Sequence, residues 1–137
     1  MSADDNRQEV HGLFLWHQGK VFRSPYLPLV APLIAQFEPC RLIKAKLNRT
    51  RSRDRHIEYG LHVDTHRAGA LTIVFYLNDN NGYTVFEDGS RVMSRANRMV
   101  VFNAAIKHTG ASCTDAPHRL VLNLNLIPGA AKPRRDT

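Results

Sequence analysis

The sequence contains little cysteine, no long apolar run and no internal repeat. Its two cysteines, Cys40 and Cys113, form neither a CxxC pair nor a metal-binding spacing, so we expect two free thiols and a cytoplasmic protein. No apolar stretch has the length that crosses a bilayer, and no membrane partner is expected. The polar, acidic start MSADDNRQEV does not have the pattern of a secretory signal.

The composition is that of an ordinary soluble domain. Of the 137 residues, 43% are hydrophobic and 23% are charged. We therefore expect one domain over residues 1–137, large enough to bury a core without metal or disulfide staples. Nineteen Lys and Arg against twelve Asp and Glu give a net charge of +7. This charge fits a nucleic acid, an acidic peptide or a small anion as partner, or it serves solubility alone.

The apolar pattern predicts a short N-terminal region of mixed structure followed by a β domain. Residues 11–16 form a candidate strand, and a helix is predicted to start near Ser24-Pro25 or later, because Pro28 and Pro32 each lack a backbone donor. Short runs separated by Asn, Asp and Gly turns then indicate a sandwich or barrel. The predicted strands are 42–47, 57–62, 71–77 (central in its sheet), 83–86, 90–93, 99–103 and 120–126, with a loose tail at 128–137.

Three residues form a candidate metal site. In an extended chain, His62 and Asp64 point the same way about 7 Å apart, and His108 is the best third ligand. Two imidazoles and one carboxylate leave open positions, which suits non-haem iron(II), although the same set can hold zinc. His66 is a competing ligand, but we interpret it as a loop histidine. An isolated His-x-Asp is more often a surface pair, so the combination of all three residues carries the hypothesis.

The strand at 119–126 alternates polar and apolar residues. Arg119, Val121, Asn123 and Asn125 share one face, and four leucines share the other. A buried arginine is costly unless it binds a partner, and a carboxylate matches its guanidinium in two-point geometry. The alternative, which periodicity alone favours, is that the polar face is solvated and only the leucines face the core.

Several motifs occur together in a recognisable order. They are HVD (62–64), FYLN (75–78), NGYTVFEDG (81–89), NRMVVFNAAIKHTG (97–110) and RLVLNLNL (119–126). This run resembles the catalytic core of the prolyl-hydroxylase-like 2-oxoglutarate/iron(II) dioxygenases, and most of all their short bacterial and phage members. Many prolyl hydroxylases have lysine where this chain has Arg119, and a double glycine where it has Gly82-Tyr83.

The resemblance implies an all-β fold with minor α, a double-stranded β-helix (jelly-roll barrel) with one or two N-terminal helices packed outside and a catalytic core at about 42–127. It implies iron(II) bound by His62, Asp64 and His108, with 2-oxoglutarate and O2 as co-substrates. It also implies a salt bridge from Arg119 to the C5 carboxylate of 2-oxoglutarate, supported by the hydroxyl of Tyr76. The remaining candidates for co-substrate binding share the inner faces of these strands; they are Thr72, Asn123 and Asn125.

The implied activity is hydroxylation of an amino-acid side chain, above all a prolyl residue in a peptide or protein, with decarboxylation of 2-oxoglutarate to succinate and CO2. The alternatives are a nucleic-acid demethylase on the same fold, suggested by the basic charge, and a non-catalytic binding module. The arginines at 49, 51, 53 and 55 belong either to a solvated loop or to an electropositive lip for an anionic substrate. The sequence carries no indication of the oligomeric state.

Overall fold

The computed structural model describes residues 8–129, and this part of the chain folds into β-strands with one short helix. The helix α1 (Ala31–Ala35) directly follows a 3-10 turn at Leu27–Val30. The strands are β1 (Gln8–His17), β2 (Lys20–Arg23), β3 (Cys40–Arg51), β4 (Leu71–Tyr76), β5 (Tyr83–Phe86), β6 (Arg91–Met93), β7 (Met99–Asn103), β8 (His108–Ala111) and β9 (His118–Pro128).

The strands pair antiparallel in two sheets. Within residues 8–129, the larger sheet has six strands in the order β2-β1-β3-β9-β4-β7, and the smaller has three in the order β6-β5-β8. Two isolated bridges, from Glu58 to Ala111 and from His62 to His108, attach the segment between β3 and β4 to β8. This two-sheet arrangement confirms the double-stranded β-helix that the sequence resemblance implies.

The outer face of the large sheet carries the main hydrophobic core. Leu122, Leu124 and Leu126 of β9 pack there with Ile73 of β4, and all four side chains are almost fully buried. The 3-10 turn and α1 cover this face, so a single short helix of the described part of the chain packs outside the barrel. No helix in residues 8–129 is long and apolar enough to cross a membrane.

The sequence pattern locates most strands but fails at three places. The predicted strand at 57–62 is wrong: only isolated bridges form there, because Gly60 has a φ of 100° and interrupts the extended chain. The pattern does not reveal β2, which Gln18 and Gly19 join to β1 through a hairpin turn with positive φ at both positions. It also does not reveal β8, whose sequence HTGA lacks apolar alternation.

Other predictions concern the chain ends and the cysteines. Cys40 and Cys113 form no disulfide, as predicted. The predicted loose tail lies outside the described residues from position 130 onward, and Pro128 still belongs to β9. β4, predicted as central, lies between β9 and β7, one place from the sheet edge.

The inner face of the large sheet carries several polar residues. Residues opposite each other in an antiparallel ladder share a face. Thr50 faces Arg119 and Asn48 faces Val121 across β3 and β9, while Thr72 faces Asn125 across β4 and β9. The leucine face of β9 therefore builds the core, and its polar face is turned towards the smaller sheet.

Candidate functional site

A cavity of about 680 Å³ lies between the two sheets. Its walls come from the inner faces of β4 and β9, from β8, and from the segment between β3 and β4. His62, Asp64 and His108 lie on this wall, and so does Arg119. Residues separated by more than fifty positions in the sequence thus line one space.

The three predicted metal ligands are brought together. One potential ligand atom from each of His62, Asp64 and His108 lies within 4.8 Å of the others. The Nε2 atom of His62 is 3.2 Å from Oδ1 of Asp64, and Nε2 of His108 is 3.5 Å from Oδ2. The bridge between His62 and His108, with both backbone N···O distances at 3.0 Å, holds the two imidazoles on adjacent segments.

Backbone carbonyls orient both imidazoles. Nδ1 of His62 donates to the carbonyl of Gly60 at 3.2 Å, and Nδ1 of His108 donates to that of Ile106 at 3.0 Å. A carbonyl only accepts, so each Nδ1 must carry the proton. Nε2 is then the nitrogen of each ring that is available to a metal, an arrangement that metal-binding histidines generally have.

Two polar side chains hold the carboxylate of Asp64. The hydroxyl of Thr72 donates to Oδ2 at 3.1 Å, and Nδ2 of Asn125 donates to the same oxygen at 3.2 Å. Asn125 also donates to the Thr72 hydroxyl at 2.9 Å, which closes a triangle of buried groups. From the other side, Nζ of Lys44 donates to the backbone carbonyl of Asp64 at 3.0 Å.

The same contacts determine the ionisation of the site. Burial alone would raise the pKa of the Asp64 carboxyl, but hydrogen bonds with His108, His62 and Asn125 outweigh it, so the pKa is well below its usual range. The hydrogen bond to Asp64 also raises the pKa of His62, against a smaller opposing effect of burial. The carboxylate is therefore charged at neutral pH, as a metal ligand must be.

Arg119 is a buried cation that lines the same cavity as the three candidate metal ligands. Its side chain is 4% exposed, and its nitrogens donate to the hydroxyls of Ser94 and Thr84, each at 3.3 Å. Within residues 8–129, no carboxylate forms an ion pair with it. Burial lowers the pKa of the guanidinium, but arginine keeps its charge in proteins. A buried charge without a counterion fits an anionic ligand such as a carboxylate.

Two glycines make room for this guanidinium. A Cβ atom at Gly110 would lie 2.8 Å from Nη1 of Arg119, and one at Gly82 would lie 2.7 Å from its Cδ. Both distances are shorter than a nonbonded contact allows, so any larger residue would displace the arginine. Both glycines lie within the family motifs, and the close approach of the Arg119 side chain explains why glycine is needed at these positions.

The other sequence candidates occupy different positions. Asn123 lines the cavity, whereas Thr72 and Asn125 contact Asp64. Tyr76 is fully buried and its hydroxyl lies 2.7 Å from that of Thr84, so its direct contact with 2-oxoglutarate stays a prediction. His66 is exposed and lies outside the group of three ligands.

The arginines before the metal segment do not act as one group. Arg49 forms an ion pair with Glu9. Arg51 is exposed at the end of β3, and Arg53 donates its backbone N–H to the carbonyl of Cys113. Arg55 is exposed and lines the cavity, so it is the member of this series that belongs to the mouth of the site.

Comparison with known proteins identifies the family. Residues 45–127 match the model of the 2OG-Fe(II) oxygenase superfamily, a span that includes the three candidate ligands and Arg119. The chain belongs to this superfamily. Membership implies an oxygenase that uses iron(II) and 2-oxoglutarate, and the group of two histidines and one aspartate fits iron binding. The search of curated proteins returned no match.

Solved structures share the fold of this superfamily member. An oxidoreductase of the 2OG-Fe(II) oxygenase family from Burkholderia pseudomallei is 17% identical with a TM-score of 0.67, and the match covers 94% of this chain and 72% of that one. A DMSP lyase from Ruegeria pomeroyi is 15% identical (TM-score 0.57), with 97% and 53% covered. An HTH_3 family transcriptional regulator from Vibrio cholerae is 13% identical (TM-score 0.52), with 96% and 54% covered. The superfamily member thus spans only about half of the last two chains, and these likenesses concern the fold alone.

Some residues of the site give little or no signal in the sequence. Thr84 and Ser94 bind the guanidinium of Arg119, and Tyr59 lines the cavity beside it. Thr84 lies in the NGYTVFEDG motif, which is the one hint available for it. Ser94 and Tyr59 become recognisable only once the two sheets are folded together.

Proposed function

We propose that this protein is an iron(II)- and 2-oxoglutarate-dependent dioxygenase that hydroxylates an amino-acid side chain, with a prolyl residue of a peptide or protein as the favoured substrate. The observation that carries the proposal is that one cavity contains both the His62–Asp64–His108 group and the buried charge of Arg119, which forms no ion pair within residues 8–129. A metal site alone would fit many functions. A metal site facing a buried cation is suited to a chelating co-substrate with a second, distal carboxylate.

Each residue has a defined task in this function. His62, Asp64 and His108 would hold the metal, and Arg119 would hold the distal carboxylate of 2-oxoglutarate. When bound, iron(II) and 2-oxoglutarate supply activation of O2, coupled to decarboxylation to succinate and CO2. Val74 and Val121 line the cavity between the polar groups and keep that part of the wall dry.

The size of the cavity supports a small reacting group. At about 680 Å³ it is within the usual range of small-molecule sites, which is about 300–1,000 Å³. Such a space has room for 2-oxoglutarate together with one side chain of a substrate. The preference for a prolyl residue comes from the motif resemblance, and the cytoplasm is the favoured location because Cys40 and Cys113 form no disulfide.

The first experiment tests the cofactor and co-substrate. Iron(II) and 2-oxoglutarate are added to the purified protein without oxygen, and the visible charge-transfer band of the chelate is recorded. Succinate is then measured after oxygen is admitted. We expect the band and slow succinate release in the parent protein, neither of them in His108→Ala, and both in the matched control His66→Ala. A band that survives in His108→Ala but not in His66→Ala would show that His66, and not His108, is the metal ligand.

The second experiment tests the substrate. A library of proline-containing peptides is incubated with the loaded enzyme, and product masses are compared with succinate release. A gain of one oxygen on a peptide is the expected result. Formaldehyde from a methylated oligonucleotide, without a peptide product, would instead support a demethylase. Tight 2-oxoglutarate binding without turnover on any substrate would support a non-catalytic module.

A further inference from the structure

The hydroxyl of Tyr59 is buried, and it has no hydrogen-bond partner within the part of the chain that the structure describes. A buried hydroxyl without a partner is unfavourable, and native proteins keep few such groups. The side chain of Tyr59 lines the same cavity as Arg119. Its hydroxyl is also close enough to influence the ionisation of Arg119. Within residues 8–129, a donor without an acceptor therefore lies near a cation without a counterion.

Backbone contacts fix the position of Tyr59. On one side, Glu58 forms a bridge with Ala111, and on the other, His62 forms a bridge with His108. The N–H of Ser112 donates to the carbonyl of Ile57 at 3.0 Å, which attaches the segment a third time. Tyr59 is thus held between two attachments to β8, the strand whose Gly110 lies against the guanidinium of Arg119. This preorganisation suits a group that positions a ligand.

Tyr76 is the tyrosine that the motif resemblance assigns to the distal carboxylate, but its hydroxyl already makes a hydrogen bond within the protein. Its hydroxyl lies 2.7 Å from that of Thr84, which in turn accepts from Nη2 of Arg119 at 3.3 Å. The side chain is 0% exposed and does not line the cavity. Tyr76 therefore reaches the ligand site through Thr84 and Arg119.

We propose that Tyr59 is a positioning residue that donates its hydroxyl proton to the distal carboxylate of 2-oxoglutarate beside Arg119, while Tyr76 supports Arg119 from behind through Thr84. The proposal rests on the proposed function, because it assigns a second donor to the same co-substrate. A carboxylate has two oxygens that accept several hydrogen bonds, so a guanidinium and a hydroxyl can share it. The hydroxyl adds a directed contact without adding a second charge.

Removal of one oxygen atom tests this assignment. In Tyr59→Phe the ring remains and only the hydroxyl without a partner is lost, so the ligand-free protein should melt at the same temperature as the parent or higher. Binding is measured by calorimetry without oxygen on the iron(II)-loaded protein. The two ligands are 2-oxoglutarate and 2-oxobutanoate, which lacks the distal carboxylate. We expect Tyr59→Phe to lower the affinity for 2-oxoglutarate about tenfold or more, since the lost hydrogen bond is made to a charged group.

The truncated ligand separates positioning from structural damage. The affinity for 2-oxobutanoate should change less than about twofold in Tyr59→Phe, because this ligand has no carboxylate for the hydroxyl to bind. Tyr26→Phe, at an exposed position, is the matched control and should bind both ligands like the parent. As a readout without metal, glutarate should raise the melting temperature of the metal-free parent more than that of Tyr59→Phe.

Each other outcome has a definite meaning. Equal weakening of both ligands in Tyr59→Phe would show a structural effect and overturn the proposal. Unchanged 2-oxoglutarate affinity in Tyr59→Phe, with a large loss in Tyr76→Phe, would return the role to Tyr76. If the parent does not bind 2-oxoglutarate at all, the proposed function fails together with this inference. If the parent binds it and Tyr59→Phe binds equally well, only this inference fails.

Discussion

The triangle of Asp64, Thr72 and Asn125 makes a prediction about metal affinity that does not involve changing a ligand. Thr72→Val keeps the shape of the side chain but removes the hydroxyl that donates to Oδ2 of Asp64 at 3.1 Å. A hydrogen bond to a charged group contributes about 1.5–3 kcal/mol, and removing a partner that orients a metal ligand typically lowers metal affinity about 10–100-fold. Asn125 keeps its own contact with Oδ2 at 3.2 Å, so we expect the lower half of that range.

The assay is a calorimetric titration of each purified variant with iron(II) in the absence of oxygen. Thr84→Val is the matched control, because it removes a buried threonine hydroxyl at the Arg119 part of the cavity. Thr84→Val should weaken the binding of 2-oxoglutarate and leave iron affinity unchanged. Thr72→Val should weaken the binding of iron and leave the affinity of the iron-saturated protein for 2-oxoglutarate unchanged. Parent-like iron affinity in Thr72→Val, measured on a folded protein, would refute the argument that this hydroxyl orients the ligand.

Three further predictions follow from other contacts. Gly110→Ala should place a methyl group against the guanidinium and weaken 2-oxoglutarate about tenfold or more in calorimetry while iron still binds. Since the pKa of His62 is raised, its contact with Asp64 should stabilise the metal-free protein fully below about pH 6.5 and less as the pH rises through the raised pKa. Metal affinity should increase over the same rise in pH, because the metal needs the deprotonated imidazole. Melting curves with and without metal check both signs. Leu124→Ala, at a fully buried position, should lower the free energy of unfolding in urea by about 2–5 kcal/mol, and a smaller change would show that the core relaxes around the cavity.

The fold follows from local patterns to a large extent, and the exceptions have physical causes. β9 is recognisable because strict alternation over 119–126 separates its leucines from its polar residues. The segment 57–62 has the composition of a strand, but the positive φ of Gly60 is a backbone property that composition does not reveal. β8 is held by pairing with β5 and by the bridge to His62, so its conformation depends on partners distant in sequence.

The site follows less completely, because its contacts are long-range. The motif resemblance implies that Thr72 and Asn125 face inwards, yet their contact with Asp64 depends on the register between β4 and β9. Whether an inward polar residue contacts a ligand or supports another side chain is decided by distances of a few ångströms. Tyr59 illustrates the same point, since its proposed role depends on a buried hydroxyl that has no hydrogen-bond partner within residues 8–129, and only the folded chain defines this.

β9 connects the two parts of the site mechanically. Asn125 supports the carboxylate of Asp64 at one end, and Arg119 presents the buried charge at the other. Six residues of an antiparallel strand separate their backbones by about 20 Å, and β3 and β4 flank the strand on both sides. A strand paired on both edges cannot slip by one residue without turning Arg119 and Asn125 towards the leucine core. The burial of the leucines on one face therefore fixes the orientation of Asn125 and Arg119 on the other, so the stability of the core and the geometry of the candidate site depend on the same register.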